Sequence, residues 1–266
     1  MSILSPPDYF ALQVAVEKLE TQSLAMKIAA RLGVPMETLL HLLPKRAQAS
    51  VGSAVNKALE QCLRIALKAG RSRSIPVSHK RAHTAAVAVS GAVGGFFGLP
   101  GLILELPITT TVMLHSIVEI AASQGEDLRN PESALACLEV FALGPAGVRR
   151  TAIESTYYAT RTALAQVTRE AASYVVQKGM TKESAPALIS FMARIASRFG
   201  LEVSEKVAAE LVPIAGAAGG LALNVLFSHH FQSIAEGHFT VRRLERKYGV
   251  EAVRREYEGI RRQLSS

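Results

Sequence analysis

Ser90-Gly91-Ala92-Val93-Gly94-Gly95-Phe96-Phe97-Gly98-Leu99-Pro100-Gly101, answered much later by Ile214-Ala215-Gly216-Ala217-Ala218-Gly219-Gly220-Leu221, decides how this chain is read. Each run sits inside a longer stretch without a charged side chain, Ala82 to Leu104 and Leu211 to Ala235. Gly91 and Gly95 stand four apart, as do Gly216 and Gly220, so on a helix each pair shares a face and lets another backbone come close. A glycine inside a helix costs about 1 kcal/mol against alanine, a loss that close helix contact returns. The expectation is two glycine-faced helices that meet each other, or a neighbour, at the centre of the fold.

Outward from these runs the punctuation is helical and strand signals are almost absent. Asp8, after Pro6-Pro7, caps a helix with Leu12, Val16 and Leu19 on one face, ending at Gly33. A short helical piece from Met36 to Leu43 stops before Pro44, and Val51, Val55, Leu59 and Cys62 mark a long helix that stops at Gly70. Asn130-Pro131 supplies a cap and a first-turn proline, with Gly144 closing that helix. Further helices are expected from Thr151 to Lys178, from Ser184 to Gly200, from Val203 to Leu211, and from Thr240 to Leu264 with Gly249 as an internal break. The fold class is therefore all-α, a helical bundle with two central Gly-rich apolar segments. Residues 1–77 read as an N-terminal helical extension packed on a main helical domain of 78–266, the two forming one cooperative unit.

The apolar share of 49% and the mean hydropathy of +0.21 exclude general disorder and lean towards lipid. A full membrane span fits poorly. Pro100 and Pro107 interrupt the first region, and Ala82 to Gly98 gives only about 26 Å of helix against a hydrocarbon core of about 30 Å. The second region carries Pro213, Asn224, His229 and His230, and there is no Trp to anchor at an interface. Contact with one leaflet, or a bundle with a hidden apolar interior, fits better.

The net charge of +8 is concentrated between Lys45 and Arg81, where nine basic residues face the single acid Glu60. Arg71, Arg73, Lys80 and Arg81, together with Arg242 and Arg243 in the tail, read as a basic surface suited to an anionic membrane. Aromatic residues make up 6% of the chain and no zinc-finger or RNP-like pattern occurs, so nucleic acid is not the expected partner. Cys62 and Cys137 read as buried thiols of a reducing compartment, and residues 1–8 lack a signal-peptide pattern. The expected place is the cytoplasm, peripheral to the inner face of the cell membrane.

Chemistry is sparse. His79 and His83 share a helix face and His229-His230 lie near Glu236 and His238, but no HExxH, HxH or Cys pairing supports a metal, and none is expected. Thr109-Thr110-Thr111 lacks a nucleophile elbow, and the glycines of 94–101 lack the Lys-Ser/Thr of a phosphate loop, so no cofactor is expected. Glu105 stands alone between two apolar stretches and needs a donor if buried. Paired with His115 or His229 it would supply the acid and base of a lipid-directed hydrolase or transferase. A soluble scaffold without lipid contact is the remaining alternative.

As an ordered set, Gly94 to Gly101, Glu105-Leu106-Pro107-Ile108-Thr109-Thr110-Thr111, Gly125-Glu126-Asp127-Leu128, Leu138 to Gly144, Pro213 to Gly220 with Asn224, and His238-Phe239-Thr240-Val241-Arg242-Arg243-Leu244-Glu245 resemble the EcsC protein family. The motifs run from about residue 78 to 257 and leave the N-terminal stretch unassigned. The resemblance implies a bacterial helical protein of a family named from an operon encoding an ABC transporter. It supplies no agreed catalytic residues. It does put weight on Gly94, Gly95, Phe96, Phe97, Gly98, Pro100, Gly101, Glu105, Pro107 and Asn224 as a contact site or a structural keystone, and it makes a membrane transporter a candidate partner.

Overall fold

Local signals place most helix ends. Ser5 precedes two prolines, which sit where a helix needs no N–H donors, and α1 runs Pro6–Glu20. Asp8 lies inside that first turn rather than at the cap. The helix does not continue to Gly33, as the sequence reading has it. It breaks at Thr21, and Ser23 starts α2 (Leu24–Leu32) by accepting a hydrogen bond from the Met26 N–H. Gly33 then closes α2 in the left-handed conformation. α3 (Met36–His41) and α4 (Lys45–Ala69) follow on either side of Pro44. The computed structural model describes residues 3–21, 23–41, 43–69, 105–144, 156–178, 185–210 and 216–264.

α5 spans Glu105–Ser123. Pro107 is the third described residue of α5, and the helix runs unbroken from it to Ser123. Asn130 caps α6 (Pro131–Glu139) through its side chain, and a single 3-10 turn, Val140–Ala142, leads to Gly144 at φ +111. α7 is Tyr157–Lys178 and α8 is Pro186–Glu210. α8 passes unbroken through Gly200, where the sequence reading puts a stop; the glycine weakens the helix without ending it. α9 (Gly216–Tyr248) is about 50 Å long at 1.5 Å per residue, and Gly249 at φ +88 turns the chain into α10 (Val250–Leu264).

The result is an all-α bundle, with no strand among the described residues. α9 is its axis, with α1 laid along it and α10 folded back on both. α8 forms the second centre, taking α2, α3, α4 and α7. The α1–α9 crossing depends on Gly237. A methyl group there would stand 2.8 Å from Leu19 Cγ and 3.1 Å from the Ala15 carbonyl oxygen, both too close. Where α8, α9 and the turn after α6 meet, Phe141, Phe199, Phe227 and Phe231 pack with ring centroids 4.9 to 6.1 Å apart. Cys62 and Cys137 are both free and buried. Gly216 and Gly220 lie in the opening turns of α9, while Gly91, Gly94, Gly95, Phe96, Phe97, Gly98, Pro100 and Gly101 fall outside the described residues, as do Arg71, Arg73, Lys80 and Arg81.

Candidate functional site

Glu105 begins α5 with only 5% of its surface exposed, so its carboxylate must find donors inside the protein. Thr109, one turn on, donates its hydroxyl to Oε1 at 3.0 Å, and Asn224 of α9 donates its amide to the same oxygen at 2.5 Å. Both Glu105 and Asn224 stand out in the sequence as polar residues in charge-free stretches. The fold brings them together across 119 positions.

Lys206 of α8 supplies the charge. Its ammonium lies 3.8 Å from Glu105 Oε1 and 3.1 Å from Glu210 Oε1, and it rests over the Phe227 ring at 5.6 Å. At 3% exposure it is as buried as its partners. Burial pushes the Glu210 carboxyl above its ordinary range, with Lys206 opposing and the Glu105 charge adding to the rise. Glu202, also on α8, faces His230 Nε2 at 3.5 Å. Glu105 Oε2 and Glu210 Oε2 have no hydrogen-bond partner among the described residues. Two carboxyls around one ammonium leave two buried oxygens able to accept further donors. Among the described residues, no three His, Cys, Asp or Glu side chains are grouped to hold a metal ion.

The histidines proposed as acid–base partners lie elsewhere. His115 is ten residues, about 15 Å of rise, from Glu105 on the same helix, and it is exposed with Nδ1 donating to the Thr111 carbonyl. His229 lies five positions beyond Asn224 and turns to solvent. Neither meets Glu105, because helical phase carries both to other faces.

The two arginines expected on the basic surface of the tail have carboxylate partners. Arg242 grips Glu126 through two bonds of 2.9 and 3.0 Å and is 17% exposed. Arg243 reaches Asp8 at 3.2 Å and Gln124 at 3.0 Å. Arg246 adds a further bond to Glu126, and Ser133 donates to it at 2.8 Å. Burial alone would raise the Glu126 carboxyl, but the two arginines and Ser133 bring it down to about 2. Arg161 and the Tyr158 hydroxyl hold Glu245 at 2.7 and 3.0 Å, and Lys247 and Tyr248 hold Asp8 at 2.7 and 2.8 Å. His238 is fully buried against the Tyr157 hydroxyl, and its surroundings keep the imidazole well below its ordinary range. Arg242 and Arg243 are thus engaged by internal carboxylates, while Arg254, Arg255 and Arg262 of α10 remain exposed.

Clefts open between the helices at two places among the described residues. One of about 410 Å³ lies over Glu126, Arg161, Arg242, Glu245 and Arg246. The other, about 340 Å³, lies between α2 and α9 over Lys27, His229, His230, Gln232 and Ser233. Sequence reasoning missed Lys27, Glu126, Lys206 and Glu210. Two signals were available: Glu126 stands inside the Gly125-Glu126-Asp127-Leu128 motif, and Lys206 to Glu210 has an ion-pair spacing of four, which on a helix usually marks solvated surface.

Residues 11–244 match the EcsC protein family, so the match takes in the N-terminal helices that the motifs alone leave unassigned. No curated protein and no solved structure matches the chain.

Proposed function

We propose that this chain, which belongs to the EcsC protein family, is a non-enzymatic, peripherally membrane-associated protein that holds lipid or another apolar ligand against α5. The observation that carries this reading is α5 itself. It is 19 residues long, with a mean hydropathy of 1.3 over its most apolar window, yet only part of that window is buried. Core helices of soluble proteins reach the same length and apolar content, so the outward stripe is what matters. Ile108 is 58% exposed, and Val112 and His115 continue its face at spacings of four and three. At about 28 Å the helix has the length of a span, but the share of it packed inside the bundle favours contact with one leaflet.

The electrostatic half comes from α4. Thr111, on the inner flank of α5 with its hydroxyl buried, faces the Cys62 thiol, so α4 runs beside α5, and Arg46, Lys57 and Lys68 are exposed along α4. Each such cation near an anionic surface is worth about 1 kcal/mol at low salt. The buried Glu105 cluster then anchors the apolar helix to the bundle. On this reading the protein acts at the cytoplasmic face of the membrane, and a transporter there is the kind of complex it would modulate.

Flotation of the purified chain with phosphatidylglycerol and with phosphatidylcholine vesicles tests the proposal. We expect flotation with the anionic vesicles, weakened by salt and by Ile108→Glu. Absence from both vesicle types contradicts it.

A further inference from the structure

We propose that the cleft between α2 and α9 is a phosphate-type oxyanion site built by Lys27, His229, Gln232 and Ser233, with His230 completing it. This goes beyond the membrane reading and stands without it.

The residues come to one place for simple reasons. On α9, His229, Gln232 and Ser233 lie within one turn of each other, and α2 packs against that side and brings Lys27 over them. The cleft holds about 340 Å³, enough for a phosphate and a small group attached to it.

The donors there are unanswered. Gln232 is 7% exposed, yet its amide nitrogen has no hydrogen-bond partner among the described residues. A buried donor left unpaired costs free energy that a bound acceptor recovers. Burial draws the Lys27 ammonium below its ordinary range, and the more distant Glu202 charge opposes this. An oxyanion would answer both groups.

Of the nearby carboxylates, Glu236 is bound to Lys18 at 2.5 Å, and Glu202 Oε2 lies 3.5 Å from His230 Nε2, a contact longer than a good hydrogen bond. That second contact orients His230 and leaves its buried Nδ1 without a partner among the described residues. With the ring proton on Nε2, towards Glu202, Nδ1 is an acceptor. A site offering several donors and one acceptor fits a singly protonated phosphate, which has both P–O and P–OH groups. It fits a carboxylate less well, since an ionised carboxylate only accepts.

The ligand is either a free phosphate monoester or the headgroup of an anionic phospholipid, and the experiment separates them. Inorganic phosphate is titrated into the full-length protein while the imidazole resonances of His229 and His230 are followed. In parallel, the protein is floated with vesicles of phosphatidic acid in phosphatidylcholine and of phosphatidylcholine alone. Saturable shifts with inorganic phosphate support a free phosphate ligand. Lys27-dependent flotation with phosphatidic acid alone supports the headgroup. In either case Lys27→Met should weaken binding about tenfold, the loss of one charge-assisted hydrogen bond. Ser233→Asp, which sets a carboxylate in the cleft, should do the same, and Lys27→Arg should retain most binding. The proposal is overturned if neither probe binds, or if both substitutions leave binding unchanged. Ile108→Glu should not alter phosphate binding, so failure here and failure of the α5 reading are told apart.

Discussion

α9 carries a charge cluster near each end, about 27 Å apart from Asn224 to Arg242, and the two are built on opposite ratios. At the C-terminal end, Glu126 is met by two guanidinium groups and a hydroxyl, and Asp8 by Arg243, Lys247 and Tyr248. At the N-terminal end, Glu105 and Glu210 share one ammonium, that of Lys206. In the first cluster opposite charge outweighs burial and the Glu126 carboxyl is held low; in the second, burial outweighs the single lysine and the Glu210 carboxyl is pushed up. A matched cluster is a lock that joins α1, α9 and the segment before α6. An under-compensated one is a place where a proton, a donor or a ligand changes the energy.

The sharpest way to break this contrast is to neutralise one carboxyl in each cluster. Glu126→Gln leaves Arg242 largely buried without its charge partner and should cost about 3 kcal/mol in denaturant unfolding. Glu210→Gln removes a negative charge that burial penalises and only one lysine supports, and should leave stability unchanged or slightly raised. Equal losses in the two variants would erase the distinction. Next in size, Asn224→Ala takes the amide donor from Glu105 and should lower stability by about 2 kcal/mol, because a buried acceptor loses a bond. A negligible loss would mean that Asn224 does not hold α5 to α9.

The pH dependence should separate the clusters with a smaller effect. Glu126 has a folded value near 2 against an ordinary 4.5, so its stabilisation is complete above about 4.5 and is lost as pH falls through about 2. Glu210 is raised, so the folded state favours its protonated form. Its penalty is absent below the ordinary value and grows as pH rises above it, with Lys206 opposing and Glu105 adding. Glu139, buried against the Thr168 hydroxyl, is raised as well and contributes the same sign. Unfolding curves across pH should therefore fall on both sides, and Glu210→Gln should flatten the alkaline side alone.

Helix ends written in local chemistry were legible from the residues: Asn130-Pro131 starts α6 and Gly249 divides α9 from α10 as the sequence suggests. The break at Thr21 was not, because it carries neither glycine nor proline, and Gly200 misled because a glycine alone does not stop a helix held by tertiary packing. Glu105 and Asn224 were visible because a polar residue in a charge-free stretch must be satisfied by something. Arg242 was misread because its partner Glu126 lies 116 positions away, and charge on a helix face looks the same whether solvent or a carboxylate receives it. Lys27 was invisible for the same reason: its neighbours in the cleft come from α9.

The central claim is that the outer stripe of α5 is where lipid meets the protein. The chain has no tryptophan, so a single Ile108→Trp reports from that stripe alone, with Val176→Trp on exposed α7 as its counterpart. In anionic vesicles with brominated acyl chains, the account predicts quenching of the Trp at 108 and little at 176. Fluorescence at 108 that does not change when vesicles are added, or equal quenching at both sites, contradicts it.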